Sequence, residues 1–167
     1  MEARQLVKSK RLQSILLWTM IVCAIGAVVM GGINIVLSLA EPKASVFLGD
    51  GVFAARVADT EEKRAKGLGG VKELQDNEAL LMVFPDDGLW SIWMKGMHIP
   101  IDIVWLDEKR QVVHIEKDVQ PDAPPYDTYV PPKNARYVVE LKAGSVQKYK
   151  IKMNETAVVD VSAIEAK

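Results

Sequence analysis

Hydrophobic and polar positions follow two different patterns along the chain. From Leu12 to Ala40, 29 residues pass without a charge, longer than the roughly 20 needed to cross a bilayer core. A run apolar on every face predicts a membrane helix rather than one side of a soluble domain. Beyond Pro42 the pattern shortens to β-prone stretches broken by turn signals. Ser45 to Leu48 and Val52 to Val57 flank Gly49-Asp50-Gly51, a hairpin signature. Asp59-Thr60-Glu61-Glu62 opens a short helix, with Asp59 or Thr60 as its cap, and Gly67 ends it. Leu80 to Phe84 is a buried strand, closed by a turn at Pro85-Asp86-Asp87-Gly88.

The same reading predicts strands at Trp90–Met94, Ile101–Leu106, Val112–Glu116, Arg136–Leu141, Val146–Ile151 and Ala157–Val161. In the second of these, Ile101, Ile103 and Trp105 share one face, and Asp102, Val104 and Leu106 share the other. Between strands lies a long irregular segment, about Lys117 to Ala135, with five of the eight prolines and with Tyr126 and Tyr129. A loop of that length in a small domain is either a ligand flap or a covering loop. Nine short strands and one helix predict a mostly β domain, an antiparallel sandwich or partly closed barrel. The connections look too short for repeated β-helix-β crossovers.

Charge orients this layout. Arg4, Lys8, Lys10 and Arg11 precede the apolar run, and Glu41 follows it. Basic residues stay on the cytoplasmic side, so residues 1–11 form a cytoplasmic segment, 12–40 a single-pass signal-anchor and 41–167 an extracytoplasmic domain. A cleaved signal peptide ending at Ala40 is the competing reading, but its apolar region would be shorter. Four of the 21 basic and one of the 22 acidic residues precede Leu12, leaving the remainder a net charge of −4. That balance argues against nucleic acid as a partner. The sole cysteine, Cys23, lies in the apolar run, so the outer domain has neither a disulfide nor a thiol nucleophile. Cys23, Ala27 and Gly31 form a small-residue stripe that can pair two anchors, although ordinary membrane-helix composition also accounts for it.

Candidate chemistry concentrates between Leu80 and Trp105, which holds Trp90, Trp93 and Trp105, three of the four tryptophans. The candidate ligand-binding set is Trp93, Met94, Lys95, His98, Pro100 and Asp102, with Tyr126, Tyr129 and Glu140 brought in by the fold. Aromatic rings supply a stacking surface, while the charged groups supply polar handles. Core packing is the competing fate for the tryptophans. Asp102 and Glu140 both sit in apolar strands and would serve as a glycosidase pair if they stood about 5–9 Å apart. Otherwise each accepts hydrogen bonds from loop amides or pairs with a cation. His98 and Asp102 do not share a helical face, His114 is remote in sequence, and no short ligand cluster exists, so neither metal nor cofactor is expected. Gly67-Leu68-Gly69-Gly70 comes too late in its helix for a phosphate loop and reads as turn geometry.

Several of these segments together resemble one family. They are Gly67-Leu68-Gly69, Leu74, the run ending Val83-Phe84, Trp93-Met94-Lys95, Ile99-Pro100-Ile101-Asp102, Pro121, and Tyr137-Val138-Val139-Glu140-Leu141 with Ala143-Gly144. Their order and spacing are similar to the domain of unknown function family DUF192, over about Ala44 to Val161. The resemblance implies a compact, mostly β domain, often exported or membrane-anchored in prokaryotes, and implies no activity. Two departures stand out. Gly96-Met97 replaces an Asn-Thr pair, and Ala79-Leu80-Leu81-Met82 replaces Gly-Met-Leu-Phe. The first removes two polar side chains beside the expected pocket. These readings predict a non-catalytic envelope module that binds a small molecule, glycan or protein. A carboxylate-dependent hydrolase acting on an envelope glycan and a structural or assembly subunit are the alternatives.

Overall fold

The computed structural model describes residues 43–160. The basic segment 1–11, the anchor at 12–40, its small-residue stripe, the cleavage position after Ala40 and the tail beyond Asp160 lie outside the described residues. Among the described residues no helix is long and apolar enough to cross a membrane.

The chain runs β1 (Lys43–Leu48), β2 (Gly51–Ala58), α1 (Glu61–Lys66), β3 (Glu78–Gly88), β4 (Ile92–Trp93) and β5 (Ile101–Leu106). It continues through β6 (Val112–Val119), β7 (Thr128–Tyr129), β8 (Ala135–Lys142), α2 (Ser145–Lys148) and β9 (Val158–Asp160). Seven strands form one sheet in the order β6-β5-β8-β3-β2-β1-β9, and β4 and β7 pair as a separate ribbon.

The predicted hairpin forms, with β1 antiparallel to β2 and Leu48 opposite Gly51 across the Gly49-Asp50 turn. The next connection does not follow the expected antiparallel pattern. β2 and β3 run parallel, with Ala54 opposite Glu78 and Ala58 opposite Met82. A parallel neighbour needs a crossover of a dozen or more residues, and 59–77, carrying α1, supplies it. The sheet is therefore mixed, and the architecture is a single sheet with both faces covered rather than two packed antiparallel sheets.

The sheet does not close into a barrel. Its outer strands β6 and β9 meet only at one end, through a bridge between Gln111 and Thr156. The Val112 N–H donates to the Glu155 carbonyl and the Ala157 N–H to the Arg110 carbonyl, at 2.8 and 2.9 Å. These bonds satisfy backbone groups that a free sheet edge would expose.

Strand alternation sorts the apolar residues into two clusters, one on each face. Val46, Phe53, Leu81, Val104, Leu106 and Leu141 belong to the first. Leu80, Met82, Ile101, Ile103, Trp105 and Val138 belong to the second. All six residues of β5 are buried, because β5 is interior to the sheet and covered on both sides. The face assignment expected for Ile101 to Leu106 is the one observed.

Three local expectations are corrected. Pro85-Asp86-Asp87-Gly88 is not a terminating turn; β3 continues to Gly88 through a register shift after Val83. Proline is tolerated there because an irregular stretch asks for no regular ladder bond. The strand expected over Trp90–Met94 shrinks to Ile92–Trp93, which pairs with Tyr129 and Thr128 of the proline-rich segment. The strand expected over Val146–Ile151 begins instead as α2. There the Lys148 N–H donates to the Gly144 carbonyl and the Tyr149 N–H to the Ser145 carbonyl, while Val146 and Ile151 are buried. Docking of these two side chains overrides a β-prone composition.

Candidate functional site

Glu140 lies in β8, with Leu80 of β3 on one side and Ile103 of β5 on the other. The row continues to Arg56 in β2 and Glu116 in β6, and directly paired residues project from the same face. Glu140 is therefore set among apolar neighbours in the middle of the sheet, the residue 2% exposed. Its Oε2 is buried and has no hydrogen-bond partner. Burial pushes the acid from its ordinary 4.5 up to about 7, while the Leu68 backbone N–H and the more distant Arg56 guanidinium pull the other way.

Above this carboxyl sits a cavity of about 550 Å³. Its roof is made by the end of α1 and by Gly67-Leu68. Thr60 caps α1, its Oγ1 accepting from the Lys63 N–H at 3.3 Å. Gly67 ends the helix at φ 51°, ψ −134°, a conformation that disfavours side chains with a Cβ. A Cβ at Gly67 would lie 3.4 Å from Glu140 Oε2 and 3.4 Å from the Met82 methyl. The glycine motif does form a turn, as its sequence suggests, and the turn also brings bare backbone down onto the carboxyl.

The walls are flat and apolar. Phe84 and Trp90 stack at 4.3 Å with 13° between their planes. Met82, Ile92 and Met97 add aliphatic surface. Trp105, fully buried beneath, donates from Nε1 to the Trp90 carbonyl at 2.9 Å and fixes the wall segment to the sheet. Trp93 is 44% exposed at the rim, its Nε1 donating to the Ala65 carbonyl at 3.3 Å and tying the far wall to α1. The Gly70 N–H donates to the Gly96 carbonyl at 2.9 Å and makes a second tie.

Of the nine residues singled out from sequence, Trp93, Lys95 and Glu140 line the cavity. Met94 is buried in the core, and Pro100 sits half-buried at the start of β5. His98 is exposed, and Tyr126 and Tyr129 are half-buried away from the cavity lining. Tyr129 packs against the second core cluster beside β4.

Asp102 has a different role. It lies opposite Leu141, one residue out of step with the Ile103–Glu140 pair, so its side chain leaves the other face of the sheet. Its carboxylate accepts from the Asp118 N–H at 2.9 Å and the Val146 N–H at 2.8 Å. The second bond satisfies a donor in the first turn of α2. The two carboxylates face opposite sides of the sheet and cannot flank one scissile bond, which removes the geometry the hydrolase alternative requires. Among the described residues no three of His, Cys, Asp and Glu converge as a metal site. His114 Nε2 contacts Glu116 Oε1 at 2.9 Å, apart from Glu140.

Sequence reasoning missed Arg64, Met82, Phe84 and Met97, while Trp90, read as either site lining or core, is in the lining. Arg64 donates from one guanidinium nitrogen to the Asp59 and Val83 carbonyls, both at 2.8 Å, and lies 5.1 Å from the Phe84 ring centroid. Its position in a helix of charged residues gives no hint of this anchoring. Met97 stands where the resembled family pattern carries a polar residue, and that substitution was the available signal.

Comparisons with known proteins agree with the fold. Two solved structures superpose well: a protein of unknown function from Novosphingobium aromaticivorans DSM 12444, at TM-score 0.64 and 24% identity, covering 70% of this chain and 83% of that one; and a candidate transcription regulator from Sinorhizobium meliloti 1021, at TM-score 0.65 and 17% identity, covering 75% and 96%. At these identities the likeness is one of fold. A UPF0127 protein of Thermococcus kodakarensis is 36% identical over 94 residues, 55% of each chain. Another from Thermococcus gammatolerans is 33% identical over 108 residues, 64% of this chain and 66% of that protein. The chain thus spans between about half and two thirds of the length of these curated relatives. A family profile for DUF192, described as an uncharacterized ACR, matches residues 45–159. The match covers almost all of the described domain, and the chain belongs to the DUF192 family.

Proposed function

We propose that this protein is a non-catalytic binding module of the cell envelope, tethered by one N-terminal membrane helix, whose ligand enters the cavity above Glu140. The observation that carries the reading is the buried, unpartnered Glu140 Oε2 at the floor of an aromatic-walled cavity. An unsatisfied buried oxygen costs about 1–3 kcal/mol, a cost that a ligand donor recovers on binding. Among the described residues the lining holds no thiol or histidine, and its other acid, Glu61, is exposed while Glu140 is buried, an arrangement that suits recognition better than paired-acid hydrolysis.

The test is a thermal-shift screen of the full chain in detergent micelles against a chemically broad compound set. A ligand of this site raises the melting temperature of the wild type, less so that of Trp93→Ala or Glu140→Leu. If every stabilising compound acts equally on both variants, the site is elsewhere. The tether and its orientation rest on the 29-residue uncharged run and the basic residues before it. Val158, 60% exposed, replaced by cysteine, reacts with a membrane-impermeant maleimide on intact cells if the domain is outside. Labelling only after lysis would reverse the topology.

A further inference from the structure

The cavity differs from end to end. At the floor is Glu140 Oε2, lacking a donor. The nearby indole N–H groups are already committed, Trp90 to the Asp86 carbonyl and Trp93 to the Ala65 carbonyl. The Leu68 backbone N–H already donates to this carboxyl, and the remaining oxygen, Oε2, is open to a donor entering the cavity, from water or from a ligand hydroxyl.

The mouth carries the opposite demand. Of the lining residues, Lys66 and Lys95 are exposed and Arg64 is half-buried, and the one acid besides Glu140 is the exposed Glu61. Among the described residues none of the three cations makes a close ion pair of the kind that Lys63, Lys142, Lys148 and Lys150 make, although Arg64 is near enough to Glu62 to help lower that acid's pKa. Arg64 is pinned by two backbone carbonyls and Lys95 lies 5.5 Å from the Trp93 ring centroid, so both charges are held beside aromatic faces. An excess of positive charge at a cleft entrance favours anions and repels cations. Between mouth and floor the Phe84–Trp90 stack presents a flat apolar surface.

We infer that the cavity takes a small organic anion with a flat apolar body, whose negative group meets Arg64 and Lys95 and whose hydroxyl, at the far end, donates to Glu140. This rests on the binding-module reading above and narrows its ligand to one chemical class. A neutral hydroxyl is preferred to an ammonium at the floor for two reasons. The entrance cations oppose an ammonium, and burial resists the ionised carboxylate that would welcome it.

Three probes separate the possibilities: 4-hydroxyphenylacetate, which has both ends; phenylacetate, which lacks the hydroxyl; and tyramine, which exchanges the anion for a cation. The readout is the NMR shift of the Met82 and Met97 methyl groups, both in the cavity lining, in the full chain carrying ¹³C-methyl methionine in detergent micelles. The expected order is 4-hydroxyphenylacetate tighter than phenylacetate by about fivefold, the worth of one net hydrogen bond, with tyramine weakest. Glu140→Leu abolishes the preference for the hydroxyl, and Glu140→Gln, which keeps an acceptor, retains it. Arg64→Ala combined with Lys95→Ala weakens both acids and removes their salt dependence. Tyramine binding as well as the acids, or equal affinity for both acids, overturns the ligand class and leaves the cavity as a binding site. If no probe moves either methyl, the ligand class and the binding-module reading fall together.

Discussion

Replacing Glu140 by glutamine isolates the cost of burying an ionisable acid. Glutamine matches the shape and polarity of the protonated side chain and cannot ionise. In the unfolded chain Glu140 titrates near its ordinary 4.5, and in the folded protein near 7. Below pH 4.5 the acid is neutral in both states and costs nothing for charge. Between pH 4.5 and 7 the unfolded chain releases its proton first, so folding becomes less favourable as pH rises. Above about 7 both states are ionised and the loss levels off. At about 1.4 kcal/mol for each pH unit, the whole window is worth about 3 kcal/mol. The measurement is urea denaturation of residues 41–167, followed by tryptophan fluorescence, from pH 4 to 8.5 for wild type and Glu140→Gln. The wild type should lose about 3 kcal/mol relative to the variant across that range, with the steepest change near pH 6. Parallel curves would mean that the carboxyl is hydrated in solution. A wild type that gains stability with pH would mean that the Leu68 N–H and Arg56 outweigh burial.

Other perturbations separate structural from binding roles. Asp102→Ala strips the acceptor from the Asp118 and Val146 N–H groups and should cost about 3 kcal/mol by denaturation, Asp102→Asn about half as much, with cavity binding unchanged for either. Loss of ligand affinity in Asp102→Asn without loss of stability would contradict this assignment. Gly67→Ala forces a Cβ into a disfavoured backbone conformation over Glu140 and should cost about 1–3 kcal/mol, while lowering affinity for any cavity ligand. An unaffected melting temperature would show that the turn relaxes freely. Trp105→Phe leaves the Trp90 carbonyl without its donor and opens space beneath the wall. A loss of about 3 kcal/mol is expected, and a loss below 1 kcal/mol would mean that the wall does not depend on this tie.

By itself, the sequence determined the properties that depend on neighbours along the chain. The Gly49-Asp50-Gly51 turn joins β1 to β2, Thr60 caps α1, and Gly67 ends it, because each needs only a few adjacent residues. The alternation in Ile101–Leu106 placed Asp102 and Trp105 on opposite faces, since strand periodicity is local. The family could be read because its motifs survive as short blocks in order. Tertiary structure decided what depends on register and crossover. Asp102 and Glu140 look alike as acids in apolar strands. They face opposite sides only because Asp102 pairs with Leu141 and Ile103 with Glu140. The parallel pairing of β2 with β3 carries α1 and Gly67 over β8, and only then does a glycine 73 residues earlier come within reach of Glu140. Of the two tyrosines in the proline-rich loop, Tyr129 became part of the β4–β7 ribbon, and neither it nor Tyr126 lines the cavity. A loop's composition sets how easily it is ordered, while the strands it packs against decide where it lies.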